Sequence, residues 1–173
     1  MRVTLWATLS ANGNYARGTP ENPPRAEALA DFRRQALTHG NFIVGRRTFE
    51  GVAAGGPNPD FRNLDIVVVS TRNRPMEGIL RARSPRAALA LLAARGHGKA
   101  LLSGGAALHN AFLAERLVDE MILNVAPDLE GGGLSIHLPA GQHHPIELTS
   151  CREIGGGLVQ LRYALTGSTT QSP

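Results

Sequence analysis

The chain has 173 residues, of which 42% are hydrophobic and 18% charged, and its formal net charge at pH 7 is +4. This length suits one domain with a sizeable core, and no apolar run approaches the roughly 20 residues of a membrane helix, so we expect a soluble protein. The basic surplus comes from dispersed arginines with few aromatic side chains to stack bases, which argues against nucleic-acid binding and favours a small anionic ligand.

The N-terminal residues and the number of cysteines both indicate the cellular compartment of the protein. The first ten residues, MRVTLWATLS, alternate as a strand does and lack the pattern of a secretory signal. Cys151 is the only cysteine, so an internal disulfide is excluded. We therefore expect a cytoplasmic protein.

Strand and helix patterns alternate along the chain without an interdomain linker. In chain order, the predicted strands cover residues 3–9, 41–45, 64–70, 100–102, 120–126, 145–154 and 157–166. The predicted helices cover residues 25–38, 47–52, 85–94 and 106–116. Crossover helices indicate parallel pairing, and glycines 155–157 indicate a C-terminal antiparallel hairpin. We predict one α/β domain over residues 1–166 with a mixed, mostly parallel sheet, and a disordered tail over 167–173.

A two-glycine turn follows the strand at 100–102 and opens the next helix. Gly104 and Gly105 allow the backbone to approach a ligand closely, and the free N–H groups of the helix start face an anion. The turn indicates a phosphate-bearing ligand, with a dinucleotide as the favoured class.

Three predicted strands end in turns whose glycine, hydroxyl or arginine residues could bind an anion. The carboxyl ends of parallel strands lie along one edge of a sheet, so these turns should be close together. Their residues are Gly45, Arg46, Arg47 and Thr48; Ser70, Thr71 and Arg72; and Ser103, Gly104, Gly105, Ala106, Ala107 and Leu108. The hydroxyls and guanidinium of the second turn suit a phosphomonoester, which favours NADPH over NADH. Each turn alone could be an ordinary capped turn. The chain has neither GxGxxG nor GxxxxGK[ST], so a standard Rossmann domain and a P-loop are not indicated.

Several motifs occur together in a recognisable order. A strand ends in Ser-Gly-Gly at 103–105, a helix ends in FLAERLVDE at 112–120, and Ala126-Pro127 precedes a glycine run. IVGRRTFEGV at 43–52 is similar to a Gly-Arg-x-Thr cofactor motif, and LSANGNYARG at 9–18 is similar to a Ser-Leu-Asp-Gly turn. Over residues 2–165 the chain resembles the reductase domain of riboflavin biosynthesis, a type within the dihydrofolate-reductase-like superfamily.

This resemblance implies a dihydrofolate-reductase-like three-layer α/β/α sandwich that binds NADPH. It implies that the backbone of 45–48 and Thr48 hold the pyrophosphate, that an arginine approaches the 2′-phosphate, and that Thr8 contacts the cofactor. In such enzymes the cofactor supplies the hydride and the protein orients the rings, so few strong catalytic residues are expected. The residue that delivers the proton stays unassigned.

The substrate-binding candidates are Ser10, Asn12, Tyr15 and Glu27. Asn12 stands where riboflavin-type reductases have a substrate-contacting aspartate, and an amide can hydrogen-bond a ring edge but cannot carry charge. An asparagine before Gly13 also suits a simple turn.

The first long helix tests the resemblance to folate reductases. Aligning Phe32 with their helix aromatic puts Ala28 at the position of their carboxylate, with Glu27 beside it. Helical spacing places Phe32 near Leu29 and Ala36 on one face. We therefore expect Glu27 and Asp31 to form a solvated edge, which counts against a folate substrate.

The sequence thus predicts an NADPH-dependent reductase that acts on C=N or C=O in a pyrimidine- or pteridine-like substrate. A dihydrofolate reductase and a non-catalytic NADPH-binding protein stay open as alternatives. No metal is expected, because His137, His143 and His144 lack helical spacing and a cysteine partner. The superfamily resemblance and the antiparallel end strands imply a homodimer, and no nucleic-acid or membrane partner is expected.

Overall fold

The computed structural model describes residues 1–16, 23–56, 58–72 and 78–166, so the predicted tail at 167–173 lies outside the described residues. The strands are β1 (Arg2–Ser10), β2 (Asn41–Gly45), β3 (Asp65–Val69), β4 (Leu80–Ala82), β5 (Lys99–Gly104), β6 (Glu120–Ala126), β7 (Ile146–Glu153) and β8 (Val159–Leu165). The α-helices are α1 (Ala26–His39), α2 (Arg46–Ala53), α3 (Pro85–Ala94) and α4 (Ala106–Ala114), and a short 3₁₀ turn spans Pro59–Phe61. None of these described helices has the length and apolarity to cross a membrane.

All eight strands form one sheet in the order β4-β3-β2-β5-β1-β6-β8-β7. Pairing is parallel from β4 to β6, whereas β8 runs antiparallel to β6 and to β7. The predicted mixed sheet with an antiparallel C-terminal hairpin is confirmed. The sequence did not predict β4, because three residues are too few to establish a strand period.

Two apolar clusters cover the two faces of the sheet. Alternate residues of β1, from Val3 to Leu9, pack with buried residues of α3 and α4 such as Leu92 and Phe112. On the opposite face, Ala36 of α1 packs with Phe42 of β2 and other apolar residues. Helices on both faces give the three-layer α/β/α sandwich that the sequence predicted.

Helix α1 corrects one expectation. Its buried residues are Ala28, Asp31, Gln35 and Ala36, whereas Leu29 is 52% exposed. The expected solvated edge is therefore wrong for Asp31, which is only 3% exposed. The spacing of apolar residues predicted the wrong buried face of α1, because polar residues of the sheet, described below, hydrogen-bond the Asp31 carboxylate.

Candidate functional site

A cavity of about 570 Å³ opens at the carboxyl-terminal ends of neighbouring parallel strands. On one side, which we call the glycine-turn side, its wall comprises Arg47, Thr48, Ser103, Gly105 and Ala106. On the other side, the helix side, it includes Trp6, Arg25, Ala28, Leu29, Asp128 and Leu134. Strand β1 lies between the ends of β5 and β6, so Thr8 separates the two sides.

The glycine-turn side depends on the close approach of two turns. A Cβ atom built on Gly105 would lie 2.9 Å from Oγ1 of Thr48, so only glycine leaves this threonine undisturbed. Gly45 faces the same turn, because a Cβ there would lie 3.6 Å from the Gly104 carbonyl oxygen. The Gly104–Gly105 peptide is cis, and Gly104 has a φ of 107°, which favours glycine. Gly105 lines the cavity, where it has only backbone atoms to present.

Thr8 shows that this wall has unused binding capacity. Thr8 lines the cavity, and its buried Oγ1 has no hydrogen-bond partner among the described residues. A buried hydroxyl without a partner costs about 1–3 kcal/mol. A polar ligand group in the cavity would remove this cost, so Thr8 and the glycine turn together fit a polar, phosphate-bearing group.

The structure separates the other predicted cofactor residues. Arg47 is exposed and lines the cavity, whereas Nη1 of Arg46 binds Glu50 at 2.6 Å along α2. Ser103 lines the cavity and donates its hydroxyl to the Ile43 carbonyl at 3.2 Å.

Within α4, the three residues predicted to bind the cofactor have different environments. Ala106 lines the cavity, Ala107 is exposed, and Leu108 belongs to the core.

The second predicted turn lies one strand further along the sheet. It follows β3, whose last residue, Val69, pairs with Gly45. Oγ of Ser70 accepts the Arg72 amide at 3.1 Å, and Thr71 and Arg72 are exposed. The turns at 45–48 and 103–108 therefore meet, whereas 70–72 neighbours them without lining the cavity.

The helix side is largely apolar apart from one ion pair. Ala28 lines the cavity, so the chain has no carboxylate where the resemblance to folate reductases would place one. Nη2 of Arg25 binds Oδ1 of Asp128 at 2.7 Å, and both side chains are about one-third exposed. Leu29 and Leu134 complete this wall and are each about half exposed. This side suits a planar ring with few charges.

Of the four predicted substrate residues, the structure places Tyr15 on the cavity wall. The Ser10 hydroxyl donates to Oδ1 of Asn12 at 2.7 Å. Asn12 also donates to the Glu130 carbonyl and accepts the Glu130 amide, so it anchors the loop after β6. Glu27 lies against the turn between β7 and β8, within about 3 Å of a Cβ built on Gly156.

Tyr15 pairs with a histidine that the sequence did not single out. Its hydroxyl lies 2.5 Å from Nδ1 of His109, which is fully buried. Burial lowers the pKa of His109 to about 3 and raises the pKa of the Tyr15 phenol above its usual value. Both groups are therefore neutral near pH 7.

A second unforeseen group is the carboxylate of Asp31. Its Oδ2 accepts hydrogen bonds from the Trp6 indole, the Asn124 amide and the Gln160 amide at 2.7, 3.2 and 2.9 Å, and Arg34 pairs with its other oxygen. Burial alone would raise the pKa of Asp31, but these donors lower it below its usual value. The carboxylate thus stays ionised behind Trp6.

Comparison with known proteins adds to this geometry. The family model described as the RibD C-terminal domain matches residues 2–160, which is nearly the whole described chain. The chain belongs to the RibD C-terminal domain family. This assignment confirms the resemblance to the riboflavin-biosynthesis reductase type. No curated protein gives a significant sequence match.

Solved structures share the fold of this RibD C-terminal domain. A Shewanella sp. PV-4 protein assigned to riboflavin biosynthesis is 17% identical, with a TM-score of 0.74 over 95% of this chain and 99% of that one. RibD of Acinetobacter baumannii is 22% identical, with a TM-score of 0.72 over 95% of this chain and 58% of the RibD chain. A pyrimidine reductase-like protein of Corynebacterium diphtheriae is 16% identical, with a TM-score of 0.73 and coverages of 95% and 91%.

Proposed function

We propose that this chain is an NADPH-dependent reductase of a small pyrimidine- or pteridine-like heterocycle. The observation that carries the proposal is the close approach of Gly105 and Thr48 on the wall of a cavity that Thr8, whose hydroxyl has no partner among the described residues, also lines. Backbone amides at a helix start bind phosphate, and a buried threonine hydroxyl can bind an amide group of the same ligand. The RibD C-terminal domain family and the pyrimidine reductase-like structural relative favour a reductase.

The preference for NADPH rests on the arginines beside the glycine-turn side. Arg47 is exposed at the cavity, so its guanidinium is available to a phosphomonoester. Arg46 has Glu50 as its partner, which makes it the weaker candidate. Arg72 extends from the neighbouring strand end.

The reaction would use the two sides of the cavity differently. NADPH, when bound, supplies the hydride. Residues of the glycine-turn side would hold its phosphates, and Trp6, Ala28 and Leu134 would exclude water around the acceptor ring. The Tyr15 hydroxyl lies on the same wall and stays protonated near pH 7, so it can hydrogen-bond a ring heteroatom.

Two alternative functions are a dihydrofolate reductase, which one residue argues against, and a non-catalytic NADPH-binding protein, which one assay can test. Ala28 lines the cavity where a dihydrofolate reductase would need its carboxylate, which disfavours folate. Among the described residues, Asp128 provides the only carboxylate on the cavity wall. A non-catalytic NADPH-binding protein is therefore the second candidate. That candidate predicts NADPH binding without hydride transfer.

The test combines binding with turnover. Thermal unfolding should shift upward more with NADPH than with NADH at equal concentration. Loss of the reduced-nicotinamide absorbance should then follow the addition of aminopyrimidines or oxidised pterins, but not dihydrofolate. Equal shifts with both cofactors would contradict the NADPH assignment, and tight NADPH binding without oxidation by any ring would favour the second candidate.

A further inference from the structure

Trp6 is held on the helix side of the cavity by two consecutive residues of α1. Its indole N–H donates to Oδ2 of Asp31 at 2.7 Å, and its ring centroid lies 5.1 Å from that of Phe32. Trp6 is half-buried and lines the cavity. Because one contact fixes the N–H edge and the other fixes the ring laterally, the indole has little freedom to turn.

The carboxylate that holds this indole is costly to bury. Asp31 is 3% exposed, and an ion removed from water costs several kcal/mol unless hydrogen bonds replace its hydration. Asn124 and Gln160 of the sheet provide two of those bonds and are themselves fully buried. An apolar residue could fill the space between α1 and the sheet without these partners. What an apolar residue could not provide is an acceptor for the Trp6 N–H.

We propose that Asp31 is a positioning residue that fixes Trp6 as the platform on which the planar ring of the substrate stacks. This inference rests on the proposed function for the identity of the reaction, but the binding of a ring to Trp6 can be tested without turnover.

The same geometry narrows the chemistry of that ring. A negative charge bonded to the indole N–H increases the electron density of the indole, which favours an electron-poor or cationic ring over an anionic one. Ala28, Leu29 and Leu134 beside it are apolar. The platform therefore suits a planar, neutral or protonated heterocycle of the pyrimidine or pterin class.

Trp6 is also the only tryptophan, so intrinsic indole fluorescence reports on this wall alone. The probes are 5-aminouracil and pterin, each titrated with and without saturating NADPH. Quenching of Trp6 emission should measure ring binding, and the thermal shift with NADPH should measure cofactor binding separately.

The variants separate positioning from stability. Asp31→Asn keeps the shape but removes the charge, and Trp6→Phe keeps a ring but removes the N–H. The matched control is Asn41→Leu, which removes equally buried side-chain hydrogen bonds to the Lys99 carbonyl and the Leu101 amide, away from Asp31 and outside the cavity wall. We expect Asp31→Asn to shift Trp6 emission and to weaken ring binding about fivefold, with NADPH affinity within about twofold of wild type.

Ring binding to Trp6→Phe is followed by the thermal shift and should weaken similarly, whereas Asn41→Leu should lower thermal stability and leave ring affinity unchanged. The proposal is overturned if neither ring quenches wild-type Trp6, if the Asp31 and Trp6 variants bind rings normally, or if Asn41→Leu weakens ring binding equally. If the rings quench Trp6 emission only when Asp31 is present, but NADPH does not bind, the result would support the stacking role of Trp6 and contradict the proposed NADPH-dependent reductase.

Discussion

The Tyr15 hydroxyl on the cavity wall lies 2.5 Å from Nδ1 of the fully buried His109. This pair connects the loop after β1 to α4, whose first residue, Ala106, belongs to the glycine-turn side. Since His109 is neutral near pH 7, the pair is an uncharged hydrogen bond and not an ion pair. A change in either residue should therefore affect both the fold and the cavity.

Acid should destabilise the fold through His109. The unfolded imidazole takes up a proton near pH 6.5, whereas the folded one has a pKa of about 3, so the unfolded state binds more protons between these values. The contribution of the neutral His109 to stability is fully present above about pH 6.5. The free energy of unfolding should fall by about 3 kcal/mol between about pH 7 and about pH 4. Denaturant unfolding of the wild type and His109→Gln across this range checks it. Parallel pH profiles for the two proteins would contradict this role of His109.

Removal of the Thr8 hydroxyl should have opposite effects on stability and binding. Thr8→Val replaces a buried, unpartnered hydroxyl with a methyl group, so the free energy of unfolding should stay level or rise by about 1 kcal/mol. NADPH affinity should fall about fivefold, because the ligand loses a hydrogen bond. Calorimetry and thermal unfolding measure the two effects. Unchanged affinity would show that Thr8 does not contact the cofactor.

A methyl group at the glycine turn should block the site without unfolding the protein. In Gly105→Ala, the new Cβ would meet Oγ1 of Thr48 at 2.9 Å and displace this exposed side chain. We expect about tenfold weaker NADPH binding, since the turn and Thr48 can no longer approach. Gly51→Ala is the control, because nothing lies within 4 Å of its Cβ and it is helical. The control should bind normally and unfold at an equal or higher temperature.

The two adjacent arginines of α2 should differ in their effect on cofactor choice. Arg47→Ala should reduce the preference for NADPH over NADH about three- to tenfold, because it removes an exposed guanidinium from the cavity. Arg46→Ala should change the preference little, since Arg46 pairs with Glu50. Dissociation constants for both cofactors with both variants provide the measurement, and equal effects would contradict this assignment.

The exposed edge strand β7 should form the proposed homodimer. Ile146 and Leu148 of β7 are 44% and 54% exposed, and Val159 of β8 is also exposed. An edge strand with exposed apolar side chains can pair with a second copy. Sedimentation velocity should show a dimer for the wild type and a monomer for Leu148→Asp. A monomeric wild type would reject the proposal.

Much of the fold was predictable because it depends on local pattern. The β-branched run at 64–70 predicted β3, and Ser84 with Pro85 predicted the start of α3, where the Ser84 side chain accepts the Ala87 amide. The parallel pairing and the antiparallel end of the sheet were predictable from the crossover helices and the glycines at 155–157. Such features require no knowledge of distant contacts.

The helix side of the site was harder to predict because its residues meet only in three dimensions. From the helical spacing alone, Asp31 is expected on the surface. Its burial depends on hydrogen bonds from Asn124 and Gln160, about a hundred residues later in the chain. Asp128 and Arg25 are likewise paired across the sequence. The one available signal was the Ala126-Pro127 motif, which precedes Asp128.

The glycine-turn side consists mainly of main chain and small residues, whereas the helix side consists of side chains from α1, β1 and the loop after β6. A wall made from backbone and small residues depends little on the identity of its side chains. Leu29 and Leu134, which are each about half exposed, can therefore be exchanged with little disturbance to the opposite wall. These two positions make the chain a suitable scaffold for redesigning the selectivity of the helix side while the wall proposed to bind the cofactor is left intact.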